Sequence, residues 1–208
     1  MAITNGYLTL VEFKNYKGGT GSFAADTADD DVIENIIESA SRFIDNLTGQ
    51  FFYKDTGETR YYSAEFDDML FTDNFYSIVT LKTDEDQDGT YENTWNTGQS
   101  TGDFYMMPFN AILDGKAYNR IEVSAEGDYT FPKGVQRGVE MTADWGYAAV
   151  PDIIKMACYE IANAAYGRRS GQNLTGNAEI TGAGIVITPQ DITPYARSLL
   201  AGYRRGYG

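Results

Sequence analysis

Two stretches with helical spacing bracket a long run of short, strand-like segments, and that contrast limits the folds open to this 208-residue chain. Val32, Ile33, Ile36, Ile37, Ala40, Ile44 and Leu47 recur at the spacing of one helix face. Thr27 and Asp29-Asp30-Asp31 mark the start, since carboxylates are stabilised at the positive end of a helix dipole, and Gly49 supplies the stop. The second stretch opens at Pro151, continues through Ile154, Ala157, Ile161, Ala164 and Ala165, and ends near Gly167. Thr9 and Glu12 have the spacing of a capping box, so a shorter helix is expected before the glycines at 18, 19 and 21. The expected helices are therefore 9–16, 29–48 and 151–167.

Between about 51 and 146 the texture is that of strands. Thr59–Ser63, Tyr76–Lys82, Thr90–Trp95, Phe104–Met107, Tyr118–Ser124 and Val139–Trp145 are β-prone, and Asp88-Gly89, Asp114-Gly115 and Glu126-Gly127 punctuate them. Residues 170–184 are rich in Gly, Asn and Thr, which predicts a flexible loop. Thr193-Pro194 then starts a last helix with Tyr195, Leu199 and Tyr203 on one side. The expected fold is α+β: mainly a helical bundle with a small antiparallel β-sheet insertion, then a C-terminal helix after a flexible loop. The core would span 1–169, and the loop and last helix 170–208.

Side-chain chemistry narrows the function. The chain contains no histidine, which removes histidine general bases, Ser–His–Asp and Cys–His nucleophiles and His-liganded zinc. No Gly-Lys-Ser/Thr loop occurs for phosphates. An enzyme is not expected, nor an organic cofactor. The single Cys158 cannot form an intrachain disulfide, and its helical setting suits a buried thiol. Met1-Ala2-Ile3-Thr4-Asn5-Gly6 has neither a basic start nor an apolar core, so no signal peptide is expected. No run approaches the ~20 apolar residues of a membrane span, and no membrane partner is expected.

One motif invites a ligand. Asp84, Asp86 and Asp88 alternate before Gly89, as carboxylates do in calcium loops, with Thr90 and Glu92 at further ligand positions. The twelfth position is Trp95 rather than a bidentate Glu, which excludes an ordinary EF-hand. The alternatives are a partial calcium site and a solvated turn whose Asp88-Gly89 satisfies turn geometry.

The formal net charge is −14, which repels nucleic acid on average. From Tyr166 onward, however, five arginines face two carboxylates, a balance of +3 that leaves −17 for the residues before. Arg168, Arg169, Arg204 and Arg205 suit acidic protein faces better than DNA phosphates in such a chain. Sixteen tyrosines add side chains favoured at protein interfaces.

Several phrases, in this order, resemble the head–tail connector (adaptor) family of tailed bacteriophages. Tyr7-Leu8-Thr9-Leu10 with Glu12 and Lys14 resembles its opening helix. Ala40, Ser41, Ile44 and Asp45, closing on Leu47-Thr48-Gly49-Gln50-Phe51-Phe52, resemble its second. Thr59-Arg60-Tyr61-Tyr62 is similar to the strand that follows, and Tyr105, Pro108 and Asn110 to a later phrase. The most specific match is Trp145-Gly146-Tyr147 with Val150-Pro151 and Ile154, followed by Tyr166, Arg168-Arg169 and the tail Leu199–Arg205. The region from Phe66 to Ala117 departs from the pattern by being longer.

The resemblance implies a ring of about a dozen subunits in the virion neck, made in the host cytoplasm. The ring would sit beneath the portal protein, meet the next neck or tail connector or stopper, and continue the channel for genomic DNA without reading its sequence. Arg168, Arg169, Tyr195, Leu199, Tyr203, Arg204 and Arg205 would face partners. Alternatives are another neck or tail-completion protein, and a calcium-dependent binding module centred on Asp84–Glu92.

Overall fold

The computed structural model describes residues 3–18, 21–96, 102–169, 176–181, 184–189 and 192–205. The chain divides into two compact units, Met1–Phe52 with Val150–Gly208, and Tyr53–Ala149.

The first unit is built on helices. The expected capping box opens α1 (Leu10–Gly18): Thr9 Oγ1 accepts the Glu12 N–H at 3.1 Å, and Glu12 Oε2 accepts the Thr9 N–H at 2.8 Å. A single turn, α2 (Ser22–Ala25), follows. The long amphipathic helix is α3 (Asp30–Thr48), with Asp30 and Asp31 in its first turn and Ile33, Ile37, Ala40, Ser41, Ile44 and Thr48 buried. Gly49 ends it in the left-handed region at φ 71° and donates its N–H to Asp45 O at 2.8 Å. A Cβ is strained there, so Gly49→Ala is expected to lower stability by about 1 kcal/mol in urea unfolding.

The fourth helix, α4 (Asp152–Arg169), packs on α3. Ser41 Oγ and Cys158 Sγ meet at 3.5 Å, and the Ser41 hydroxyl donates to Ile37 O at 2.8 Å, so a buried polar pair is satisfied between two apolar faces. Thr193 Oγ1 caps α5 (Pro194–Leu200) by accepting the Ala196 N–H at 3.1 Å. Ala196 and Leu200 are buried and α5 packs on α4, so the last helix is seated within a single chain.

The second unit is a sheet. Its strands are β1 (Asp55–Tyr62), β2 (Met69–Thr83), β3 (Asn93–Thr94), β4 (Phe104–Met107), β5 (Tyr118–Val123) and β6 (Val139–Trp145). Their order is β1-β6-β2-β5-β4, with β3 added on β2, and every pairing is antiparallel. The interior strand β6, paired on one side with β1 and on the other with β2, buries Val139, Met141, Ala143 and Trp145 at alternate positions. Leu70, Phe75, Leu81, Ile121 and Phe131 complete this core, and Trp95 stacks on Phe131 at 4.7 Å.

Mainly a helical bundle with a small sheet insertion is therefore the wrong description of this chain. The six-stranded antiparallel sheet is a compact unit with its own core, not an insertion subordinate to the helices. Each β-prone run is short and carries little pattern by itself, whereas long-range pairing joins them all. The difference is greatest in β2: the β-prone run covers only Tyr76–Lys82, whereas the strand is 15 residues long and passes through Asp73 and Asn74, residue types that favour turns. Their polar groups are satisfied in place: Asp73 accepts from Arg60 Nη1 at 2.8 Å and Tyr62 Oη at 3.2 Å, and Asn74 O accepts the Gly146 N–H at 2.7 Å.

The flexible loop expected over 170–184 is likewise corrected where the structure describes it. A hairpin forms from β7 (Gly176–Thr181) and β8 (Gly184–Pro189), with Ala178 opposite Ile187 and Ile180 opposite Ile185. Backbone pairing overrides a composition that reads as loop. The remainder of that loop, 170–175 and 182–183, lies outside the described residues.

Candidate functional site

The acidic turn between β2 and β3 brings its carboxylates together. One oxygen each of Asp84, Asp86, Asp88 and Glu92 lie within 4.8 Å of one another. Asp84 is buried and the other three are exposed. The turn is held by its own side chains: Asp84 Oδ1 accepts the Gln87 N–H at 2.7 Å, and Oδ2 the Gly89 N–H at 2.9 Å. Asp86 Oδ1 accepts from Asp88 N at 3.2 Å, and Asp88 Oδ1 from Thr90 N at 2.7 Å. Gln87 and Gly89 take left-handed φ of 64° and 90°. Asp84 thus works as the turn's anchor, and Asp84→Ala, by stranding two backbone N–H groups, is expected to cost about 1–3 kcal/mol in thermal unfolding.

The residues singled out near the C-terminus separate into two places. Tyr203 is half-buried with its ring 5.5 Å from Phe52, its carbonyl accepts from Gln50 Nε2, and the Arg205 N–H donates to Thr48 O at 2.9 Å. The tail therefore closes on the C-terminal end of α3, where unpaired helix carbonyls favour donors. On α5, Tyr195 is exposed and Leu199 half-buried, while the face turned inward is Ala196 and Leu200. Arg204 is exposed. Arg168 is exposed and lines a groove between α3 and α4, and the Arg169 side chain lies outside the described residues.

That groove escaped the sequence reading. It has a volume of about 520 Å³ and is lined by Val32, Ile36, Phe43, Ile161 and Ala165, with Asn35, Ser39, Ala40 and Arg168. Val32 and Ile36 looked like members of one core stripe, yet α3 buries only the neighbouring stripe through Ile33, Ile37 and Ile44. The signal was present: α3 carries more apolar residues than one face needs.

A second unassigned feature lies in the sheet unit. Between β4 and β5, Phe109 is 61% exposed, Ile112 39% and Leu113 86%. Tyr105 meets Phe109 edge-to-face at 5.5 Å. The segment is not slack. Ala111 N donates to Pro108 O at 3.0 Å, Asp114 N to Asn110 O at 3.0 Å, and Lys116 N to Ala111 O at 2.7 Å, while the Ala111 side chain is buried. The result is a braced apolar knob.

No protein-family model matches the sequence, and no curated protein matches it. Solved structures do match, over 100% of this chain and 94% of each of theirs. One is a chain from the neck of an empty GTA particle computed with C6 symmetry, at 18% identity and TM-score 0.58. Another comes from the virion of a native gene transfer agent (GTA) particle, at 17% and 0.59. A third, from the neck of a native GTA particle computed with C12 symmetry, stands at 16% and 0.54. What this chain shares with them, from one end to the other, is a fold.

Proposed function

We propose that this chain is a non-enzymatic head–tail connector (adaptor) subunit, working as one member of a ring at the neck of a phage or phage-like virion. In that place it binds the portal on one side and the next neck or tail component on the other, and continues the DNA channel. The observation that carries the reading is the full-length likeness of fold to chains from GTA necks, two of them computed with C6 and C12 symmetry. Charge supports it, because a body at −17 lets duplex DNA slide where a basic wall would retain it. The +3 tail supports contact with acidic protein surfaces rather than with the genome.

The test is negative-stain imaging of the purified protein, alone and with its cognate portal. Closed rings, or added density on the portal, are the expected result. Small particles under both conditions would sink the reading. Rings that bind a different neck component and ignore the portal would point to another neck or tail-completion protein.

The convergence of Asp84, Asp86, Asp88 and Glu92 favours one second reading, a calcium-dependent binding module. It requires that millimolar calcium raise the melting temperature and that Asp86→Asn with Asp88→Asn abolish the rise. An unchanged melting temperature leaves the turn a structural element braced by Asp84.

A further inference from the structure

Among the described residues, the knob at 109–113 and the groove between α3 and α4 are two features that the fold itself leaves unexplained. Large apolar side chains held rigidly in solvent mark interaction sites, and a braced loop loses little freedom on binding. The knob has both properties, with Leu113 at 86% exposed on a segment tied by its own backbone hydrogen bonds. The groove is its converse: concave, lined by Val32, Ile36, Phe43, Ile161 and Ala165, and about 520 Å³ in volume. Cavities of that size take a drug-sized ligand, so the groove has room for an apolar side chain such as that of Leu113.

We propose that the knob of one subunit seats in the α3–α4 groove of the next copy. The inference rests on the ring reading above and gives its lateral contact. A ring needs a heterologous interface, two different patches on one chain that fit each other, because a patch that pairs with itself closes at a dimer. Knob and groove are two such patches. Their charges also match. Asp114 directly follows Leu113, and Arg168 borders the groove, so seating the knob brings a carboxylate to a guanidinium. Lys116, two residues on, meets a helix that carries Asp31, Glu34 and Glu38.

Thiol trapping tests the contact directly, because Cys158 is buried and is the chain's single native thiol. Leu113→Cys and Phe43→Cys, mixed in equal amounts and oxidised, are expected to give a covalent dimer containing one of each. The double variant, carrying both in one chain, is expected to give a ladder of longer products. A yield no higher than from Leu113→Cys mixed with Val79→Cys, another exposed position, overturns the proposal. So does a product made only of Leu113→Cys joined to itself, or preferential cross-linking of Leu113→Cys to the portal.

Leu113→Asp and Phe43→Asp each weaken self-association, read by sedimentation, by roughly 30-fold or more, the scale of an interface hot spot. The melting temperature of Leu113→Asp stays at the wild-type value, since the side chain is already in solvent. If Leu113→Asp assembles on the portal as well as wild type does, this contact is wrong and the ring reading stands. If wild type forms no ring even on the portal, the ring reading fails, and a positive cross-link then assigns the contact to some other head-to-tail assembly.

Discussion

Trp145→Ala is expected to destabilise the sheet unit by about 3–5 kcal/mol, the range for emptying a large aromatic site in a core. Trp145 is fully buried on the interior strand β6, between β1 and β2. Its ring centroid lies 6.0 Å from that of Tyr62 and 6.3 Å from that of Phe75, and the Arg60 guanidinium sits 4.4 Å from the ring. Its indole N–H donates to Glu58 O at 2.7 Å, so truncation removes the donor to a β1 carbonyl as well as the packing. With β1, β2 and β6 all meeting at this residue, neighbouring strands cannot collapse into the space without losing register. The variant leaves Trp95 as the chain's one tryptophan, and it lies in the same unit, so its fluorescence during urea unfolding reports the loss. Val79→Ala, on the exposed side of β2, serves as the control and should change stability by less than about 0.5 kcal/mol. Equal midpoints for the two variants would mean that Trp145 does not hold the sheet together.

Alkaline pH is the second strong lever, and the helical unit feels it first. Burial pushes the Cys158 thiol up to about 12, and Asp45 nearby adds to the shift while Ser41 opposes it. In the unfolded chain the thiol ionises near ~8.5. The folded state therefore holds this proton more tightly. The stability it contributes is whole below the unfolded value and is lost as pH rises from ~8.5 towards 12. Two phenols follow. Burial, then the hydrogen bond to Asp45, pushes Tyr7 far above an ordinary tyrosine, and burial beside Asp73 does the same for Tyr62. Their loss begins near the unfolded value of ~10. The melting temperature is accordingly expected to decline in two stages above pH 8.5. Cys158→Ala should remove the first stage and keep the second. Superimposable profiles for wild type and Cys158→Ala between pH 8.5 and 10 would rule out the buried thiol as the cause.

Tyr7 shows how such groups hold the helical unit. Its hydroxyl donates to Asp45 and accepts the Phe52 N–H at 2.8 Å, and its backbone N–H donates to Ser41 Oγ at 3.0 Å. A residue outside any helix thereby ties the middle of α3 to the segment that follows Gly49. The phrases Tyr7-Leu8-Thr9-Leu10 and Gln50-Phe51-Phe52, which carried the resemblance, are partners in space.

The amino-acid sequence alone determined whatever depends on near neighbours along the chain. The extent of α3 and α4, the capping box at Thr9 and Glu12 and the left-handed stop at Gly49 follow from spacings of two to four residues, and residue type marked where the six strands of the sheet lie without giving their full lengths. The acidic turn was legible for the same reason, and the lack of histidine by itself excluded histidine-dependent classes of catalysis.

Tertiary structure decided what depends on residues far apart. Only it could set the order β1-β6-β2-β5-β4, carry β2 through Asp73 and Asn74, or pair β7 with β8. It chose which apolar stripe of α3 is core and which lines a groove, and it turned Ala196 and Leu200 of α5 inward. The physical reason is common to all of these: a periodic pattern says that a face is apolar, and only the packing of the remaining chain says whether anything covers it.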